Sequence, residues 1–213
     1  MAEKKRPRRT RERILETALA LFNLHGEPSV TTAHIADEMN ISPGNLYYHF
    51  RNKDEIIGDL YAAYEAEVAP LFASPNGRSP GVEDLWLILH LFFERMWAYR
   101  FLFRDLVEIA SRNRRVATRF AELSRRAEAT VIELCRGMVA SHAMHASERE
   151  IATLARNVVV VATYALAYQR IGAGAADASP RLEHAAYQVL ALVAPFLSGE
   201  GRALIERLGE QYL

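Results

Sequence analysis

The chain holds one cysteine, Cys135, in 213 residues. No internal disulfide can form, and the sequence fits a reducing compartment. A net charge is also lacking: 26 basic residues balance 26 acidic ones, so the whole-chain charge selects no partner. No apolar h-region follows the charged N-terminus, which argues against a secretory signal. The longest uncharged stretches, near 157–169 and 185–199, fall short of the about 20 apolar residues of a membrane span. These absences predict a cytoplasmic chain with no membrane partner. The marks of common enzyme classes are missing too. There is no phosphate-cradling glycine loop, no Gly-x-Ser-x-Gly elbow and no spaced metal set. His142 and His145, with Glu148 nearby, have spacing that reaches one metal, but nothing supplies a further close ligand. We therefore expect no catalytic residues, no metal and no cofactor.

What is present is helical periodicity, and no alternating strand pattern competes with it. Half of the residues are hydrophobic, enough for a sizeable core. Ile14, Ala18, Leu21 and Phe22 form the stripe of a first helix over about 10–25, with Gly26 past its end. Thr31 or Thr32 caps a second helix that turns Ile35, Ala36 and Met39 inward. Asn40 tolerates a left-handed backbone and suits a tight turn. Ser42-Pro43 restarts the chain as a short third helix, serine capping and proline taking the first helical position. Asn52 with Glu55 resembles a capping box for a fourth helix ending near Tyr64–Pro70. Ala73–Gly81 reads as a connector. Further helices are expected at about 82–99, 102–111, 114–141, 147–171, 180–197 and 200–210. Ser147 with Glu150 makes a second capping box, Ser179-Pro180 repeats the cap-plus-proline start, and GAGAADASP forms a flexible loop.

Residues 4–13 read KKRPRRTRER. Such a block is either a solvated arm or a segment that follows an anionic backbone such as DNA. Residues 32–50 are helix, three-residue turn, helix, the layout of a helix-turn-helix DNA reader. Leu46 and Phe50 share one face and point inward. Ser42, Pro43, Gly44, Asn45, Tyr47, Tyr48 and His49 are left toward solvent or a partner. Tyrosine hydroxyls, an imidazole and the ammonium of Lys53 can meet phosphate oxygens. A purely structural helix rarely exposes two tyrosines and a histidine together.

The run TTAHIADEMNISPGNLYYHFRNKDEIIGDLY resembles the DNA-binding domain of the TetR family of bacterial transcriptional regulators, over about residues 10–65. Its G-N-L-Y-Y-H-F segment followed by N-K-x-E carries the likeness. The resemblance implies an all-α fold: an N-terminal three-helix helix-turn-helix DNA-binding domain at 10–65, preceded by a basic arm at 1–9. A helical effector-binding and dimerisation domain would follow at 66–213. It also implies that Gly44, Asn45 and Tyr47 face bases, and that Thr32, Tyr48, His49 and Lys53 contact phosphates of double-stranded operator DNA. Ser42 and Pro43 belong to the same surface. Asn40 stands where the family usually has glycine, and Pro43 where many members carry a longer polar side chain. The stretch WAYRFLFRDL at 97–106 resembles a subgroup linked to lipid and storage-polyester metabolism.

The second half adds two expectations. Val158, Ala162, Ala165 and Leu166, with Ala186, Val189, Leu190 and Val193, form apolar stripes on two long helices. Burial in the chain's own core is one reading. The resemblance favours a two-fold four-helix homodimer interface. Trp86, His90, Phe93, Trp97, Phe101 and Phe103 concentrate large rings, which make either a core or a pocket for a small apolar or amphipathic effector such as a fatty acid or acyl thioester. Arg104 either pairs with Asp105 or Glu94 or binds the anionic end of that effector. Cys135 lies on an apolar face near Val131, Ile132 and Met138, as a small buried filler or, alternatively, a redox sensor.

Overall fold

The computed structural model describes residues 7–73, 81–173 and 182–212. Among these the chain is all-α, with one isolated bridge, Met144 to Leu197, as its only extended pairing. The helices are α1 (Pro7–His25), α2 (Thr32–Glu38), α3 (Pro43–His49), α4 (Lys53–Val68), α5 (Val82–Ala98), α6 (Arg100–Arg104), α7 (Leu106–Arg112), α8 (Arg114–Ala140), α9 (Glu148–Ala173), α10 (Leu182–Val193) and α11 (Gly199–Tyr212). Short 3-10 turns occupy Ala69–Phe72 and Ala194–Phe196.

The chain divides into two compact units. The first takes residues 1–66 and, unexpectedly, 99–119; the second takes 67–98 and 120–213. The expected single helix at 102–111 is two short helices, α6 and α7, which meet at Asp105. Both belong to the first unit rather than to the C-terminal region expected to begin at 66.

In the first unit α1 packs on α2 and α6, and α2 on α3. Ile14, Ala18, Phe22, Ile35, Ala36, Leu46, Phe50, Ile56 and Ile57 are fully buried there. Each turn follows from its residues. Thr31 caps α2, its Oγ1 accepting from the His34 N–H at 3.1 Å. Asn40 takes φ 53°, the left-handed region that asparagine tolerates. The Asn40 and Ile41 N–H groups then close on the Asp37 and Ala36 carbonyls, each at 3.0 Å, ending α2 in a Schellman turn. Ser42 caps α3, accepting from the Asn45 N–H at 3.2 Å, and Pro43 takes the first helical position. Asn52 caps α4 by accepting from the Glu55 N–H at 2.9 Å, while the Glu55 carboxylate reaches back to the Arg51 N–H at 2.8 Å.

α1 begins at Pro7 rather than at 10, so the end of the stretch read as a 1–9 arm is helical. Residues 1–6, with Lys4, Lys5 and Arg6, lie outside the described residues, as do most of the 73–81 connector, Ser179-Pro180 and most of GAGAADASP. Arg11 is not part of a free basic arm: its guanidinium pairs with Asp59 and lies 4.5 Å above the Phe50 ring.

In the second unit α10 packs on α9, α5 and α11. Leu85, Leu89, Phe93 and Met96 from α5 meet a core that includes Val158, Val189, Leu190 and Val193. The Ser147–Glu150 box forms: Ser147 N–H donates to the Glu150 carboxylate at 2.8 Å, and Glu150 N–H to Ser147 Oγ at 3.4 Å. The Ser147 hydroxyl also donates to the Glu150 carboxylate at 2.6 Å, and this bond, with that from the Ser147 N–H, holds the exposed Glu150 carboxyl below its ordinary pKa. His142 has φ 60° and fills the left-handed position ending α8. The Ala143 N–H returns to the Met138 carbonyl at 2.9 Å. Residues 148–169 of α9 are long and apolar enough to cross a membrane by length and composition. That corrects the expectation that no segment reaches spanning length. One side of this helix is nonetheless packed on α10.

Candidate nucleic-acid interface

The turn between α2 and α3 aims one side of α3 inward and leaves the other bare. Leu46 and Phe50 are fully buried, which fixes the rotation of the helix. Ser42, Pro43, Gly44 and Asn45 are exposed, and Tyr47 and Tyr48 stand 52% and 79% exposed. Two large aromatic side chains left open side by side mark a candidate contact surface. His49 is half-buried, and the Tyr48 ring meets its edge at 5.1 Å and 85°. Tyr47 is held as well. Its hydroxyl lies 3.0 Å from Thr32 Oγ1 on the first turn of α2.

The structure gives Lys53 a different task from the expected phosphate contact. Its Nζ donates to the Glu27 and Val30 carbonyls, each at 3.0 Å, and pairs with the Glu27 carboxylate at 2.7 Å. Three donors are thereby committed inside the unit. Glu27 is fully buried, and its other oxygen pairs with Arg112 on α7 at 2.6 Å. Arg112 also faces Asp54 at 3.4 Å. Burial acts to lower the Arg112 pKa, but the Glu27 hydrogen bond and charge, with Asp54 and Glu108, raise it overall. Asn113 adds a second tie, its amide donating to the Asp54 carbonyl at 2.9 Å while its oxygen accepts from Val116 N–H at 3.2 Å. Sequence reading missed this cluster because a buried Glu27 leaves no periodic signature in a loop.

Arg104, read as a possible effector clamp, belongs to the same unit. It donates to the Phe22 carbonyl at the end of α1 at 2.8 Å and to Asp105 at 3.2 Å. Gly26 makes room for it: a Cβ there would sit 3.1 Å from the guanidinium, and φ is 88°. Phe101 is fully buried with its ring 5.1 Å from Phe22. Phe103 packs 5.3 Å from Tyr64. These three residues belong to the first unit, whereas Trp86, His90, Phe93 and Trp97 lie on α5 in the second. There Trp86 stacks on His90 at 5.2 Å, His90 faces Glu94 at 3.6 Å, Phe93 is buried, and Trp97 is half-buried.

The eight expected dimer residues are all buried within the chain: Val158, Ala162, Ala165, Leu166, Ala186, Val189, Leu190 and Val193 are each no more than 8% exposed. Periodicity identified the apolar side of each helix, and that side is covered by the second unit itself. Among the described side chains, the large apolar residues left open on α9 are Val160, Tyr164 and Tyr168, four apart and on one face.

Two family models match the chain. "Bacterial regulatory proteins, tetR family" covers residues 14–60, and "TetR: Bacterial transcriptional repressor" covers residues 63–205. The chain belongs to the TetR family. A TetR-family transcriptional regulator from Marinobacter aquaeolei VT8 is 34% identical, with TM-score 0.86 over 95% of this chain and 98% of that one. AmtR of Mycobacterium smegmatis shares the fold at 21% identity and TM-score 0.65, over 98% of this chain and 97% of that one. The regulator TcmR of Streptomyces glaucescens is 34% identical over 74 residues, 34% of this chain and 33% of that protein. Curated relatives of this kind match over 24% to 40% of their own lengths. Membership makes the chain a DNA-binding transcriptional regulator of the helix-turn-helix type.

Proposed function

We propose that this TetR-family chain is a homodimeric repressor that binds a palindromic operator and is released by a small effector. The exposed face of α3 carries this reading. It presents Asn45, Tyr47 and Tyr48 from a helix whose other face is fully buried. Gly44, Asn45 and Tyr47 face bases, while Thr32, Ser42, Tyr48 and His49 hold the sugar-phosphate backbone. Lys53 supports the surface from behind. Residues 10–66 together with 99–119 would make up the DNA-binding unit, and 67–98 with 120–213 the effector and dimerisation unit, with 1–9 as a basic extension. Two copies of α3 would enter successive major grooves, one helical turn apart.

The dimer face we assign is the Val160, Tyr164 and Tyr168 side of α9, because the previously expected stripe is used inside the protomer. The effector is an apolar or amphipathic molecule such as a fatty acid or acyl thioester. The half-buried ring stripe of Trp86, His90 and Trp97 on α5 supports an apolar body, and Arg104 is withdrawn as its anionic clamp. The effector must bind the released geometry more tightly than the DNA-bound one, or it shifts nothing.

A gel-shift with the duplex upstream of the chain's own gene tests this, with and without fatty acids of graded length. Retarded complexes that resist nonspecific competitor and are dissolved by one chain length support it. Binding that competitor removes equally well defeats it.

A further inference from the structure

The exposed face of α3 lacks the side chains that most often read guanine. From Thr31 to Phe50 the sequence contains no lysine and no arginine. The next cations do not stand in. Lys53 is committed to Glu27 and Val30. Arg51 follows Phe50, the C-cap, and so lies beyond the end of α3. A bidentate contact to guanine O6 and N7 takes a guanidinium or an ammonium, and α3 presents neither. The acids of the stretch, Asp37 and Glu38, are on α2, so no carboxylate on α3 accepts from cytosine N4.

What α3 does present is Pro43, Gly44 and Asn45, all exposed. The Asn45 N–H is held by Ser42 Oγ, which fixes the residue in the first turn. Its side-chain amide has no hydrogen-bond partner among the described residues. A primary amide offers a donor beside an acceptor and matches adenine N7 and N6–H2. The Pro43 ring offers apolar surface suited to a thymine methyl. Packing does not demand glycine at 44: a Cβ there would meet only Ser42 Oγ, at 4.0 Å. The missing side chain instead lets the helix start come close to an outside surface. The Tyr47 hydroxyl is already engaged by Thr32 Oγ1 at 3.0 Å, so the free amide on this face is that of Asn45.

We infer that the half-site recognised by this chain is read at A·T pairs, with Asn45 on an adenine and Pro43 on a neighbouring thymine methyl. The inference rests on α3 being the DNA-reading helix.

Selection of the full-length protein on random duplexes at fixed salt, followed by sequencing and footprinting, tests it. Enriched half-sites are expected to carry A·T pairs where α3 protects the major groove. Changing the Asn45-contacted pair to G·C should weaken binding about 10-fold or more. Asn45→Ala should erase that difference, and Asn45→Arg should move the preference to G·C. A melting curve matching the parent's shows that these exposed substitutions keep the fold. Enrichment of G·C pairs there, unchanged by Asn45→Ala, overturns the A·T assignment while α3 remains a DNA reader. Enrichment of no sequence overturns the DNA-reader assignment, and this inference with it.

Discussion

Thr32 Oγ1 and the Tyr47 hydroxyl lie 3.0 Å apart, joining the first turn of α2 to the open face of α3. Each hydroxyl can donate or accept, so the pair orients the Tyr47 ring before any DNA arrives. Thr32→Val and Tyr47→Phe should each weaken operator binding by about 1 kcal/mol. If both act through one bond, the double variant should lose little more than either alone. Fluorescence anisotropy of the four proteins on one labelled duplex measures this, and fully additive losses contradict it.

Glu27 is the electrostatic centre of the first unit. Its buried carboxylate pairs through one oxygen with Lys53 and through the other with Arg112. Glu27→Gln removes the counter-charge of Lys53 and the nearer of the two that face Arg112, and should destabilise the unit by about 3 kcal/mol. Urea unfolding followed by circular dichroism reads that loss. A stability equal to the parent's would remove the cluster from the account of the fold.

Cys135 is buried, and burial pushes its thiol up from 9.0 to about 11. The folded state therefore holds its proton more tightly than the unfolded chain does. This contribution is fully present below pH about 9 and is lost as pH rises toward about 11, on the order of 2 kcal/mol at most. The urea midpoint of the parent should fall more steeply over that range than that of Cys135→Ala. Native Cys135 should also resist alkylation at neutral pH, and fast labelling of the folded protein would restore the redox-sensor alternative.

Val160 and Tyr168 are 51% and 72% exposed on one face of α9, whereas Val189 on α10 is fully buried. Val160→Asp with Tyr168→Lys should convert a dimer to a folded monomer and lower operator affinity. Val189→Asp should unfold the second unit instead, because it buries an unpaired charge. Sedimentation velocity with circular dichroism distinguishes the two. A dimer that survives the first substitution places the interface elsewhere.

The helices, caps and turns were legible because each is encoded within a few residues. Ser42-Pro43 marks a start, Asn40 a left-handed stop, and Leu46 with Phe50 fixes which side of α3 is buried. The exposure of Tyr47 and Tyr48 followed from that spacing alone. Lys53 and Arg104 were not legible because their partners are remote in sequence: Lys53 reaches carbonyls 26 and 23 residues away, and Arg104 reaches one 82 residues away. Local pattern marks such residues only as cations near something polar. The helix division at Asp105 lies within FLFRDLVEIA, whose apolar spacing reads equally well as one helix. The α9 and α10 stripes show a further limit. Periodicity gives the side of a helix that leaves water, and the structure shows that the chain's own core covers it.

The central claim is that the exposed side of α3 reads DNA sequence. Titration of the parent, Asn45→Ala and Tyr48→Phe proteins against a selected operator and a scrambled duplex, at about 150 mM salt, tests it most directly. The parent should prefer the operator by about 1,000-fold or more. Asn45→Ala should lose part of that ratio, and Tyr48→Phe should weaken both duplexes alike. Equal affinity of the parent for operator and scrambled duplex, or an unchanged ratio in Asn45→Ala, would contradict it.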